Sequence, residues 1–229
     1  MTELTIYLGN KKYSSWSLRS WLALKHTGAP FHEIVIPLKQ PDTSANLRHC
    51  SPSGRVPALH DGETIVWESL AICEYLAERF PAARLWPEDQ SARAFARAVS
   101  HEMHGGFANL RDNLPMDLAN RWPLGNRWGK VQMDIGRIAA IWRECRERFG
   151  RAGGNGAGDF LFGGFSIADA MYAPVVTRMV TYGVPLDELC QSYVAAMMAW
   201  PAMREWASSA LAEPWVISFD VNANQQNQH

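Results

Sequence analysis

The chain has 229 residues, 22 Lys plus Arg against 23 Asp plus Glu, and 47% hydrophobic residues. A near-neutral balance with that apolar content excludes a disordered chain, a collagen-like repeat and a basic nucleic-acid module. At this length a core can form without disulfide or metal staples. No apolar run approaches the roughly 18 residues of a membrane span, and the opening Met-Thr-Glu-Leu-Thr-Ile-Tyr-Leu lacks the cationic start and long apolar stretch of a secretory leader. A cytoplasmic protein with no membrane or nucleic-acid partner is therefore expected. Cys50, Cys73, Cys145 and Cys190 are widely scattered, without a CxxC or paired His/Cys spacing. Reduced, mostly buried thiols and no bound metal follow. The 10 Trp imply either broad apolar packing or an aromatic-lined site.

Two textures divide the chain. Leu4 to Leu8 reads as a strand, and Leu18, Trp21 and Leu22 fall at i, i+3, i+4 in a helix stopped by Gly28 and Pro30. Phe31 to Ile36 is a second strand, and residues 41 to 49 form a loop or short helix. Val56 to His60 and Thr64 to Trp67 flank Asp61-Gly62, a hairpin signal because both turn positions favour positive φ. Leu70, Cys73, Leu76 and Phe80 mark a helix that Pro81 ends. The strand-helix-strand opening needs a parallel pair and the closing hairpin is antiparallel, so residues 1–80 predict a small mixed four-stranded sheet. Residues 81–90 read as a proline-bounded linker. Residues 91–221 read as all helix, with segments from Ser91 to Asn113, Gly129 to Phe149, Ser166 to Tyr182 and Gln191 to Leu211. The course of residues 114–128 cannot be derived. Residues 222–229 form a polar tail.

Local motifs carry the chemistry, each with a plain structural alternative. Ser14 and Ser15 open the first helix, where a serine caps free amides or offers a hydroxyl to an anion at the positive helix end. No nearby base favours a serine nucleophile. In Arg55-Val56-Pro57, the proline either starts an edge strand or sits on a cis bond; the latter presents the backbone of Val56 to an extended peptide. Ser69 either caps the helix that follows Glu68, or grips a ligand carboxylate through its hydroxyl and free amide while Glu68 takes an ammonium. Gly153 to Gly158 is glycine-rich but lacks the GK[ST] ending of a phosphate loop, and reads as a flexible connection. Ser166-Ile-Ala-Asp169 is a capping box. His101 and His104 lack a third ligand and are not read as a metal site. His104, Phe107 and Arg111 fall on one helical face at about i, i+3, i+7, where Phe107 would pack an apolar ligand and Arg111 would stabilise negative charge on it. The alternative puts Phe107 in the core and pairs Arg111 with an acid.

Taken together, Ser14-Ser15-Trp16-Ser17-Leu18-Arg19, Arg55-Val56-Pro57, Glu68-Ser69-Leu70-Ala71-Ile72 and Ser166-Ile167-Ala168-Asp169 resemble the cytosolic glutathione transferases in order and spacing over nearly the whole chain. The serine pair is most similar to the zeta class, the maleylacetoacetate isomerases. The resemblance implies a thioredoxin-like N-terminal domain that binds glutathione, an all-helical domain lining an acceptor pocket, a homodimer, and a small-molecule electrophile as second substrate. It further implies a cis bond before Pro57, a Glu68-Ser69 grip on the γ-glutamyl end, and Ser14 as thiolate donor with Ser15 close behind. Glutathione would contact Ser14, Trp16, Arg55, Val56, Pro57, Glu68 and Ser69; Trp16, His104, Phe107 and Arg111 would line the acceptor side. Two positions depart from the zeta pattern: Trp16 replaces its cysteine, and Thr181 stands where it carries a substrate-carboxylate arginine, with Arg178 three residues earlier. A general transferase is therefore expected ahead of a maleylacetoacetate-type isomerase or a non-catalytic binder of glutathione and hydrophobic ligands.

Overall fold

A computed structural model describes residues 3–150 and 158–218. The run 153–158 falls almost wholly outside the described residues, and the polar tail entirely so. The chain opens β1 (Leu4–Leu8), α1 (Ser15–His26), β2 (Phe31–Val35), α2 (Thr43–Cys50), β3 (Ala58–Asp61), β4 (Thr64–Trp67) and α3 (Ser69–Arg79). The sheet order is β2-β1-β3-β4, with β1 parallel to β2 and antiparallel to β3, and β3 antiparallel to β4. This is the expected mixed four-stranded sheet, although its hairpin turns at Gly62-Glu63 rather than at Asp61-Gly62, because Asp61 pairs with Thr64 as the last residue of β3. Leu4, Ile6 and Leu8 are buried on one face of β1, against Leu18 and Leu22 of α1 and Leu70, Cys73 and Leu76 of α3 in one core.

A 3-10 turn at Pro81–Ala83 leads through an extended linker into α4 (Gln90–Gly105), capped by the Asp89 carboxylate on the Ala92 amide. Then follow α5 (Ala108–Asn113), α6 (Trp128–Phe149), α7 (Ile167–Tyr182), α8 (Glu188–Ala199) and α9 (Pro201–Ala212). Two expected helices are each broken in two. Gly106 is extended and Phe107 adopts φ 57°, ending α4 before α5 starts. Trp200, forced out of the helical region by the proline after it, separates α8 from α9.

The helical part is built around α7, which is buried on nearly every side and packs directly on α1. Its start is the expected capping box: Asp169 accepts from the Ser166 amide (2.9 Å), the Ser166 hydroxyl (2.9 Å) and the Leu161 amide (3.0 Å). Burial pushes this carboxyl up to about 6 against those donors. The segment after α5 is irregular and pinned to α7 by side chains. Arg178 Nε donates to the Leu114 carbonyl at 2.7 Å, Thr181 Oγ1 to the Asp117 carbonyl at 2.8 Å, and the Tyr182 hydroxyl to the Pro115 carbonyl at 3.0 Å. The end of the described chain returns to its beginning. Glu213 accepts from the Lys11 amide (2.8 Å), Lys12 Nζ donates to the Glu213 carbonyl (2.6 Å), and Trp206 Nε1 donates to the Lys11 carbonyl (3.0 Å). No helix among the described residues is long and apolar enough to cross a membrane.

Candidate functional site

A cleft of about 350 Å³ opens where the N-terminus of α1, the residues before β3 and the start of α3 face α4. Trp16, Arg55, Val56, Pro57, Glu68, Ser69 and His104 line it, together with Ser53 and Trp67. The structure thus gathers residues spread over some ninety positions of sequence around one opening. Ser53 and Trp67 had no motif of their own; adjacency to Arg55 and Glu68 was the only available signal.

The two serines have different surroundings. Ser14 is the N-cap of α1: its Oγ accepts from the Ser17 amide (3.4 Å) and donates to the Ser17 hydroxyl (2.8 Å), which itself accepts from the Gly9 amide (2.9 Å). Ser15, the first helical residue, is buried, yet its hydroxyl makes no hydrogen bond to any described residue. The preceding loop is held by Tyr13 and Ser14 amides on the Asn10 carbonyl and by the returning chain end.

On the opposite wall the Val56–Pro57 bond is cis. Val56 precedes the paired part of β3, which begins at Ala58 rather than at Val56. Glu68 carries φ 80° and ψ 130°, a conformation that costs a non-glycine residue about 1–3 kcal/mol. The geometry is offset locally: the Glu68 carboxylate accepts from the amides of Ser69 (2.7 Å), Leu70 (3.1 Å) and Ala71 (3.4 Å), capping α3. The expected cap was Ser69. It is instead the first residue of the helix, and both its amide and its hydroxyl (3.2 Å) are donated to Glu68. The amide expected to be free is occupied because the longer carboxylate folds back over it.

Trp16 stands between the two domains. The His104 ring meets it edge-on at 5.2 Å, and the Arg19 and Arg111 guanidinium carbons lie over it at 4.3 and 5.8 Å. His104 Nε2 also lies 3.4 Å from Glu68 Oε1. Burial holds the His104 imidazole below its ordinary value, an effect that Glu68 partly opposes. Because the helix breaks at Gly106, His104, Phe107 and Arg111 do not share a continuous helical face. Phe107 packs on the hydrophobic core, and Arg111 donates to the Met103 carbonyl (3.4 Å) rather than to an acid. Arg178 donates from Nε to the Leu114 carbonyl and from Nη1 to the Pro174 carbonyl; burial lowers it to about 10. Among the described residues no group of three or more His, Cys, Asp or Glu is placed to hold a metal.

A mixed four-stranded sheet followed by a helical domain has the glutathione transferase architecture, and comparison with known proteins agrees. Residues 13–79 match the glutathione S-transferase N-terminal domain model and residues 95–207 the C-terminal domain model. The chain belongs to the glutathione S-transferase family. It is 29% identical over 221 residues to the maleylacetoacetate isomerase of Pseudomonas aeruginosa, covering 92% of both chains. It is 29% identical over 168 residues to glutathione S-transferase GstB of Escherichia coli, covering 70% of this chain and 77% of that one. To the "probable maleylacetoacetate isomerase" of Caenorhabditis elegans the identity is 32% over 111 residues, 48% of this chain and about half (51%) of that protein. Among solved structures, the theta class enzyme of Xanthomonas axonopodis pv. citri with glutathione bound superposes with TM-score 0.69 at 22% identity, covering 92% and 100% of the two chains. A bacterial zeta class maleyl pyruvate isomerase gives 0.69 at 23% identity, covering 92% and 98%.

Proposed function

We propose that the protein binds glutathione in the cleft between α1 and α3, ionises its thiol and transfers the thiolate to a small electrophile. The observation that carries this reading is the uncommitted Ser15 hydroxyl at the N-terminus of α1, next in sequence to Trp16, which lines the cleft with Pro57 and Glu68. Ser15 takes the donor role first expected of Ser14, whose hydroxyl already belongs to Ser17. A free thiol has a pKa of about 8.5, and lowering it by about two units requires roughly 2.7 kcal/mol in favour of the anion. A hydrogen bond to a charged acceptor supplies about 1.5–3 kcal/mol, and a helix N-terminus about 0.3–1 more. The thiol proton leaves to water. The sulfur pair then forms the bond to carbon as the leaving group departs with its own pair.

In this reading the Val56 backbone pairs with the ligand's cysteinyl residue as an added strand would, and Arg55 and Trp16 flank the tripeptide. Glu68 swings from the α3 amides to the ligand ammonium, and the ligand carboxylate takes its place over Ser69. His104, Trp16 and Arg111 face the acceptor. Phe107 acts from the core beneath them. The protein acts in the cytoplasm as a homodimer, and Ile34, Ile65 and Trp67 give the sheet an exposed apolar surface for the partner.

Retention on immobilised glutathione together with turnover across a panel of small electrophiles tests the proposal. Tight binding of apolar dyes with no turnover on any electrophile would instead make the protein a ligand carrier. A second reading, glutathione-dependent isomerisation, is supported by the isomerase names of several relatives. Against it stands Thr181, whose hydroxyl is committed to the Asp117 carbonyl. An isomerisation assay on a maleyl substrate beside the conjugation panel separates the two.

A further inference from the structure

Arg19 is only 1% exposed, yet its Nε and Nη1 find no hydrogen-bond partner among the described residues. A buried cation with neither a carboxylate nor carbonyls to receive its protons is a costly arrangement, and folds rarely keep one without a ligand to complete it. Its neighbours make the position worse. Burial, with like charge from Arg178 of α7 and Arg111 of α5, brings the guanidinium down to about 9, still charged at neutral pH. The other titratable groups that act on it are the Cys73 thiol, itself buried, and Glu68, which is already engaged with the α3 amides and His104. Both favour the charged form without hydrogen-bonding it, and the Trp16 ring lies against the guanidinium at 4.3 Å.

The position of Arg19 indicates what completes it. It follows Ser15 by four residues on α1, so the two share one face, and helical side chains lean toward the helix N-terminus. The guanidinium lies over Trp16, a ring that lines the cleft, and it comes from the N-terminal domain rather than from the helical one. We infer that Arg19 is a catalytic residue whose guanidinium holds the negative charge of the glutathione thiolate, with Ser15 supplying the directional hydrogen bond. The inference rests on the proposed function above. Arg19 stays protonated throughout: the thiol proton goes to water, and the charge it faces is consumed when the sulfur pair forms the carbon–sulfur bond.

The test compares Arg19→Met and Arg19→Lys with the unaltered protein in three measurements: retention on immobilised glutathione, ultraviolet titration of the bound thiolate, and melting temperature without ligand. Arg19→Met is expected to keep glutathione binding, to raise the bound thiol's pKa by about one to two units, and to lower conjugation at neutral pH about tenfold per unit, with recovery at alkaline pH. Its melting temperature should hold or rise, because an unpartnered buried charge has been replaced by an apolar chain of similar length. Arg19→Lys should stay near the original titration. An unchanged thiol titration in Arg19→Met overturns the inference. If it comes with weaker affinity for a carboxylate-bearing electrophile but not for its methyl ester, the anion that Arg19 meets is the acceptor's; a fall in melting temperature alone makes Arg19 a packing residue. If the unaltered protein is not retained on glutathione, the underlying function fails and the inference falls with it.

Discussion

Replacing each serine of the Ser14-Ser15 pair by alanine should separate stability from chemistry. Ser14→Ala removes the cap of α1: the Ser17 amide loses its acceptor at 3.4 Å, and the Ser17 hydroxyl loses its donor at 2.8 Å. A cap of this kind contributes about 1 kcal/mol, within a range of about 0.5–2. For a chain of this size that lowers the melting temperature by about 2–4 °C per kcal/mol. Ser15→Ala deletes a hydroxyl that no described residue uses, so stability should change by less than about 0.5 kcal/mol. The same deletion removes a hydrogen bond to a charged sulfur, about 1.5–3 kcal/mol, which is about 10- to 150-fold in rate. Calorimetric melting of the free protein and conjugation kinetics at saturating glutathione read the two effects independently. Full rate in Ser15→Ala, with a large loss in a Ser14→Ala protein of unaltered melting temperature, would refute the reasoning and return the donor role to Ser14.

Asp169→Ala should destabilise by about 3 kcal/mol or more, because it strands three buried donors, the Leu161 amide and the Ser166 amide and hydroxyl, at about 1–3 kcal/mol each; thermal melting reads this directly. His104 titrates below its ordinary 6.5 in the folded protein because of burial. As pH falls through that range the unfolded chain therefore binds its proton first, and folded stability drops on acidification. His104→Gln should remove that component from a pH series of denaturant melts. All four cysteines are buried, and burial pushes their thiols up, Cys190 to about 12. A thiol-disulfide reagent should therefore titrate them slowly in the native protein and all at once in denaturant; a fast native thiol would contradict the burial.

The alternation and turn chemistry of the first eighty residues made the sheet legible, because Leu4, Ile6 and Leu8 bury one face and Gly62 supplies the positive φ of the hairpin; the turn lies one residue later than expected, at Gly62-Glu63, since Asp61 pairs with Thr64 as the end of β3. Two helix breaks were not read, although each has a local signal: the Gly105-Gly106 pair, and Pro201 after Trp200. In both places the apolar period continues on either side and hides the interruption. The path of residues 114–124 is set by Arg178, Thr181 and Tyr182, more than sixty positions away, so no window of local sequence contains it. Ser14 and Ser15 have the same capping tendency, and only the placement of Ser17 separates them. Arg19 entered only as the last residue of the Ser14–Arg19 motif; an arginine on a helix is normally solvated, so nothing local announces that it is buried.

The return of Glu213 onto Lys11 and Lys12 has a consequence for how the molecule can be divided. A cut within residues 81–90 leaves two fragments, one carrying α1 with Ser15 and Arg19, the other α4 and α7 with His104 and Arg178. The Glu213 contacts, the Lys25–Glu205 ion pair at 2.7 Å and the α1–α7 packing all cross that division without using the linker. The two fragments would therefore still be joined by side-chain and packing contacts, and the cleft would draw one lining residue, His104, from the second of them.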